Sequence, residues 1–206
     1  MKILAVSDMI VERLHSMQVS ARFPDVQIIL GCGDLPYDYL EFLVTAMNVP
    51  LLYVPGNHDP AYVANQTGAH ASGGDCIDRA VRTLKGLNIA GMGGSIRYRP
   101  GVPNQYTQSQ MYTRMSALVA KLLIYLPRHG NRLDILVTHS PPLGTHDEED
   151  PAHIGFSAFK DFIQTFKPRY FLHGHTMLYK NNLVPAVTQV GATTVINVYP
   201  YRVIEI

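Results

Sequence analysis

The feature of this sequence that most constrains its fold is a series of short apolar runs, each followed directly by small or polar residues. Runs of three to five residues that are apolar with little or no interruption are typical of strands that are buried on both faces. The five cases are residues 3–6 before Ser7 and Asp8, 26–30 before the stretch 31–34, 51–54 before 56–59, 135–137 before His139, and 170–172 before 173–175.

Stretches with the apolar spacing of helices separate these runs, at residues 11–22, 39–47, 109–126 and 157–166. Buried strands that alternate with helices predict an α/β fold with parallel sheet covered on its faces. The last quarter differs, because residues 187–190, 194–198 and 202–206 are strand-like runs joined by short turns. We expect an antiparallel meander at one edge of the sheet, and one domain that spans residues 1–206.

Composition excludes several functional classes. The 206 residues are 47% hydrophobic and 16% charged, which is typical of a globular chain, and the formal net charge of +1 indicates neither a nucleic-acid nor a membrane-surface partner. The two cysteines, Cys32 and Cys76, are too few for a disulfide framework, which favours a cytoplasmic protein. Residues 1–6 are too short for a signal-peptide core, and the apolar helical stretch 117–126 is well below the roughly 20 residues of a membrane span.

Polar residues at the strand ends predict a shared site. In open α/β sheets, ligands bind at the carboxyl ends of the strands. Each residue has an ordinary structural explanation when taken alone: Asp8 as a helix cap, Asn57 as a left-handed turn residue, and His139 as a histidine before a proline turn. Their joint occurrence after five separate strands favours a functional site.

Taken in order, these clusters resemble the signature of the calcineurin-like metallophosphoesterases. The motifs are Ser7-Asp8, Gly33-Asp34, Gly56-Asn57-His58-Asp59, Thr138-His139 and Gly174-His175-Thr176. The likeness extends from near the first residue to about Met177, and the four residues 56–59 are its most specific element. It implies a layered sandwich of two mixed β-sheets flanked by helices.

The resemblance also implies a centre for divalent cations. In the family, two metal ions activate water for attack on a phosphoester and stabilise the charge that develops. By this likeness Asp34 bridges the ions, Asp8 belongs to one site, and Asn57, His139 and His175 complete the other. Oxygen and imidazole ligands suit manganese, iron or zinc.

Two departures from the family pattern fall on the same metal site. Ile10 stands where the family has a histidine two residues after the first aspartate, and Met177 stands where it has the second histidine of Gly-His-x-His. Neither side chain is a good ligand for a hard or borderline divalent ion. We therefore expect one complete site that holds its metal firmly and one depleted site that is weak or empty.

Four other histidines are conceivable replacement ligands. His15, two helical turns beyond Asp8, and His173, on the opposite side of its strand from Gly174, are unfavourably placed. His146 and His153 lie in the polar loop 144–154 and are better placed to reach over the site, although a solvated acidic loop is the more ordinary interpretation.

His58 is the candidate catalytic residue. The family likeness implies that it contacts the leaving-group oxygen, as a general acid or as a charge stabiliser, and this role needs a carboxylate neighbour. Asp38 and Asp59 are both possible partners. Arg97 and Arg99 are candidate phosphate ligands, with the alternative that they face water.

Two functions follow from this pattern. The first is a metal-dependent phosphoesterase that hydrolyses a phosphodiester or a small phosphorylated molecule. The second is a degenerate, non-catalytic binding protein on the same fold, similar to the retromer subunit that acts as a scaffold. Loss of two ligands favours the scaffold, whereas retention of Asp34, Asn57, His58, His139 and His175 favours the enzyme.

Overall fold

Two mixed β-sheets and four α-helices make up most of the computed structural model, which describes residues 1–61, 66, 68–177 and 185–206. The strands are β1 (Lys2–Val6), β2 (Val26–Gly31), β3 (Leu51–Tyr53), β4 (Gly74–Cys76), β5 (Val81–Leu84), β6 (Leu87–Met92), β7 (Ser95–Ile96), β8 (Gln105–Tyr106), β9 (Ile135–Thr138), β10 (Tyr170–His173), β11 (Val187–Val190), β12 (Thr193–Asn197) and β13 (Tyr201–Glu205). The helices are α1 (Val19–Arg22), α2 (Tyr37–Met47), α3 (Gln108–Tyr125) and α4 (Ser157–Phe166).

The first sheet has the strand order β13-β1-β2-β3-β4, in which β1 to β4 are parallel and β13 pairs antiparallel with β1. The second has the order β11-β12-β10-β9-β6-β5, in which β12, β10, β9 and β6 are parallel and the outer strands β11 and β5 are antiparallel to their neighbours. Strands β7 and β8 form a small separate pair. The parallel centre of each sheet directs several strand ends to one edge.

Alternation along the strands explains the layering. Ile3 and Ala5 of β1 pack with residues of the second sheet such as Ile135 and Leu172, whereas Leu4 and Val6 pack with α2. Successive side chains of a strand point to opposite faces, so each sheet buries one face against its partner sheet and the other against helices. Helices α3 and α4 cover the outer face of the second sheet. The result is the predicted sandwich of two mixed sheets flanked by helices.

Two local predictions are wrong. The stretch 11–22 forms turns up to residue 18, and only Val19–Arg22 is α-helical. Its apolar residues do not make a continuous buried stripe, since Leu14 and Val19 are buried but Met17 is 76% exposed. His15 therefore lies on a turn, where its ring packs edge-on against Phe42 of α2.

The expected carboxyl-terminal meander is also incorrect. Strands β11 and β12 form an antiparallel pair, but β13 leaves that sheet and pairs with β1, so that Val6 lies opposite Tyr201 and Lys2 opposite Glu205. A run of apolar residues indicates a strand without indicating which sheet it joins. Within the described part of the chain, none of the helices has the length and apolar character that a bilayer crossing requires.

Candidate metal centre

The site lies where the carboxyl ends of β1, β2, β3, β9 and β10 meet, and the backbone turns sharply there. Asp8, Asp34 and His175 have φ angles of 63°, 56° and 67°. This left-handed conformation costs a residue other than glycine about 1–2 kcal/mol. Three such residues at one edge are held by surrounding hydrogen bonds, and strained backbone of this kind clusters at functional sites.

Close backbone approach requires glycine at two positions. A Cβ at Gly56 would lie 2.6 Å from the backbone nitrogen of Asp34, and a Cβ at Gly174 would overlap the side chains of Ser7 and Asp8. These glycines let the loops after β3 and β10 press against the loops after β2 and β1. The Gly-Asn-His-Asp and Gly-His motifs therefore have a steric basis as well as a chemical one.

Four predicted ligands converge. Ligand atoms of Asp34, His139 and His175 all lie within 4.8 Å of one another. The Nε2 atom of His139 is 3.3 Å from Oδ2 of Asp34 and 2.9 Å from Oδ1 of Asn57. The structure thus brings two oxygens and two imidazoles together from two different sheets. Their role as ligands stays a prediction.

The tautomers of the two histidines suit a cation. Nδ1 of His139 donates to the carbonyl oxygen of Cys32 at 2.8 Å, which leaves Nε2 facing Asp34 and Asn57. Nε2 of His175 donates to the carbonyl oxygen of Ala152 at 2.7 Å, which leaves Nδ1 available. Metal-ligating histidines characteristically donate their second nitrogen to such a partner. The residues therefore fit a divalent cation with mixed oxygen and nitrogen ligands.

The three titratable groups of the site differ in protonation state, because their surroundings shift their pKa values in different directions. Burial alone would lower the pKa of His139, but the carboxylates of Asp34 and Asp8 raise it to about 9. Burial would raise the pKa of Asp34, and the charge and hydrogen bond of His139 instead lower it to about 2. Burial, with the neighbouring charge of His139, lowers the pKa of His175 to about 3. In the absence of metal, His139 therefore carries an additional proton. That proton lies between the ligand atoms that a divalent cation would contact.

Asp8 is placed differently from these four residues. Its Oδ2 accepts the backbone N–H of His175 at 3.0 Å and the hydroxyl of Ser7. Burial raises its pKa. Asp8 thereby anchors the loop that carries His175, and within the described residues its carboxylate is not part of the group whose ligand atoms lie within 4.8 Å. Ile10 is 44% exposed and supplies no ligand.

His58 lies beside the centre and is exposed. Its backbone N–H donates to Oδ1 of Asp34 at 2.8 Å, and it lines a cavity of about 480 Å³ together with Asp34, Tyr37 and Asp38. Asp59 uses Oδ2 to accept the backbone N–H groups of Asp34 and Gly56, at 2.9 and 2.8 Å. Asp38 likewise accepts a backbone N–H, from Tyr39 at 2.9 Å, and both aspartates line the same cavity as His58.

The two candidate arginines have different surroundings. The guanidinium of Arg97 donates to Oε1 of Gln110 at 2.9 Å and to the carbonyl oxygen of Gln105 at 3.3 Å. The guanidinium of Arg99 lies 5.6 Å from the centre of the Tyr98 ring. Tyr98 in turn contacts Asn57. The binding of phosphate by Arg97 or Arg99 stays a prediction.

The polar loop reaches the site through its backbone. His146 does not become a ligand, because its Nδ1 donates to Nε2 of His173 at 2.9 Å and its Nε2 accepts from Thr188. His153 packs its ring 4.9 Å from the ring of His175. It also forms, with Glu148 and Asp150, a partly exposed group of possible ligand atoms within 4.8 Å of one another.

Sequence reasoning missed two contacts with the centre. The carbonyl of Ala152 has no signature in the sequence, because any residue supplies one. The second contact is the hydroxyl of Tyr98, which lies 3.3 Å from Nδ2 of Asn57. In the sequence, Tyr98 follows the Gly93-Gly94 pair, at which the chain turns after β6. That glycine pair was the available signal, although it indicates a turn and not a partner for Asn57.

Comparison with known proteins gives the class that this geometry indicates. The model of the calcineurin-like phosphoesterases matches residues 1–179, and the chain belongs to that family. Its members are metal-dependent phosphoesterases. An uncharacterised protein of Methanocaldococcus jannaschii is 26% identical over 212 residues, which cover 97% of this chain and 88% of the relative.

Solved structures share the fold. One crystal structure superposes with a TM-score of 0.67 at 16% identity and covers 96% of this chain and 90% of its own. The crystal structure of the protein TT1561 of Thermus thermophilus has a TM-score of 0.64 at 18% identity and covers 96% of this chain and 88% of its own. At such identities the likeness extends to the fold alone.

Proposed function

We propose that this chain is a metal-dependent phosphoesterase that hydrolyses a phosphodiester or a small phosphorylated molecule. The observation that carries the proposal is the convergence of Asp34, Asn57, His139 and His175, with both imidazoles oriented by backbone carbonyls. A chain that only served as a scaffold would have no chemical need for four such groups. We further propose that manganese, iron or zinc occupies this one centre firmly.

Each of these residues would have a distinct chemical role. Asp34, Asn57, His139 and His175 would hold a divalent cation, which supplies Lewis-acid stabilisation of a phosphoryl oxygen and activation of water. His58 lines the adjoining cavity and would contact the leaving-group oxygen, to which it would donate a proton or a hydrogen bond. Arg99 would contact phosphate oxygens.

The decisive experiment measures metal content and turnover in one set of variants. After exhaustive dialysis, the wild-type chain should retain close to one transition-metal ion, and Asn57→Ala and His175→Ala should lose it. With added manganese, the wild type should hydrolyse bis(p-nitrophenyl) phosphate. His58→Ala should keep the metal and lose most turnover, by on the order of 10²–10⁴-fold for a general acid. His129→Ala, whose ring stacks on Tyr125 of α3, is the matched control.

The alternative is a non-catalytic binding protein, and the observation that favours it is the depleted site at Ile10 and Met177. A wild-type chain that holds one metal yet is inert on a broad panel of phosphoesters would exclude the one-metal enzyme. If a variant with both histidines restored binds two ions and is equally inert, the scaffold function stands.

A further inference from the structure

Residues 93–106, here called the strap, lie against the loop that carries Asn57. The backbone N–H of Gly94 donates to the carbonyl oxygen of Pro55 at 2.9 Å. The side-chain amide of Asn104 donates to the carbonyl oxygen of Asp59 at 3.0 Å. These bonds bracket Asn57 from both sides in sequence and fix the distance between the strap and the metal centre.

Tyr98 projects from this strap to Asn57. Its hydroxyl oxygen lies 3.3 Å from Nδ2 of Asn57, whose side chain is almost fully buried at 3% exposure. The backbone N–H groups of Tyr98 and Arg99 both donate to Oε1 of Gln105, at 3.3 and 3.0 Å. Gln105 is itself buried. The backbone that carries Tyr98 is therefore held in place from within the strap.

The contact selects one of two orientations of the Asn57 amide. An asparagine can ligate a cation only through Oδ1, and rotation by half a turn would present the NH₂ group instead. In the observed orientation Oδ1 faces Nε2 of His139 at 2.9 Å, and Nδ2 donates to Tyr98. A tyrosine hydroxyl can accept this N–H and still has its own hydrogen to donate outward.

We propose that Tyr98 is a positioning residue of the metal centre, whose hydroxyl holds the Asn57 amide with its oxygen toward the cation. The inference rests on the proposed function, and it assigns Tyr98 a role that acts through Asn57. Groups that orient metal ligands in this way typically change metal affinity by about 10–100-fold.

The test is a double-mutant cycle read out as manganese affinity by titration calorimetry. Tyr98→Phe should weaken manganese binding about tenfold. In the Asn57→Asp background the same change should have less than about a twofold effect, because a carboxylate presents an oxygen in either orientation. Tyr112→Phe removes a hydroxyl that donates to Asp161, away from the centre, and should leave affinity unchanged.

Wild-type affinity in Tyr98→Phe would overturn the proposal. An equal loss in both backgrounds would also overturn it, since the hydroxyl would then act on the fold and not on the amide orientation. The measurement needs no turnover, which separates it from the proposed function. If the wild type binds manganese and the cycle shows the expected coupling, but no phosphoester is cleaved, the positioning role holds and the enzymatic proposal fails.

Discussion

Binding of a divalent cation at neutral pH should release one proton, and that proton should come from His139. In the metal-free protein the ring of His139 is fully buried and its Nε2 lies 3.3 Å from Oδ2 of Asp34. A cation in the same place must replace the proton, because a protonated imidazole has no lone pair to donate.

The size of the effect follows from the three titratable ligands. The pKa of His139 is raised to about 9 by Asp34 and Asp8 against the effect of burial, so at pH 7 nearly every molecule carries this proton. The pKa values of Asp34, about 2, and His175, about 3, leave both groups unprotonated. Release should be about one proton per ion at pH 7 and about half a proton at pH 9. The apparent affinity should therefore rise about ninefold from pH 7 to pH 8 and about fivefold from pH 8 to pH 9.

Calorimetric titration of manganese at pH 7 in two buffers of different ionisation enthalpy measures the release directly. The slope of the observed enthalpy against the buffer enthalpy gives the number of protons. Residual binding by His139→Gln should show a slope close to zero. A wild-type slope near zero at pH 7 would refute the reasoning, because His139 would then be neutral in the metal-free protein despite its carboxylate neighbours.

Two further predictions concern the depleted site and the packing of the loops. The double variant Ile10→His with Met177→His should bind a second manganese ion, measured by elemental analysis. It should also need less added metal for half-maximal hydrolysis, measured by phosphodiester turnover. Ile10 is 44% exposed, so its replacement costs little burial of apolar surface. A second ion with no gain in turnover would show that the depleted site does not limit the reaction. Gly56→Ala should lower the melting temperature and the metal affinity together, because the new Cβ would lie 2.6 Å from the backbone nitrogen of Asp34. A thermal shift assay with and without zinc measures both effects. Unchanged values would contradict the steric argument.

The parallel core of the fold could be predicted because its signal is local. Residues 26–30 and 135–137 are apolar with little interruption, and the strands β2 and β9 extend these runs by one residue each, to Gly31 and Thr138. The sheet to which a strand belongs could not be predicted in this way, since β13 pairs with a strand from the opposite end of the sequence. Short or polar strands such as β4, with an exposed Asp75 at its centre, carry too weak an alternation to be recognised.

For the candidate site, the sequence predicted which strand ends would meet but not how each side chain is used. Asp34, Asn57, His139 and His175 follow buried strands and carry ligand atoms, so both their location and their chemistry were visible. The carbonyl of Ala152 and the hydroxyl of Tyr98 arrive from segments without a motif. Backbone carbonyls and single hydroxyls acquire meaning only from three-dimensional proximity.

Asp8 has a structural role that does not depend on a second metal ion. Ile10 and Met177 stand where the family signature has two histidines, and the carboxylate of Asp8 is not part of the group of described ligand atoms within 4.8 Å of one another. It still accepts the backbone N–H of His175 at 3.0 Å, and so supports the left-handed conformation of that residue at φ 67°. This hydrogen bond would hold the loop that carries His175 whether or not a second ion binds beside it. Retention of this aspartate alone is consequently not evidence for a second metal ion.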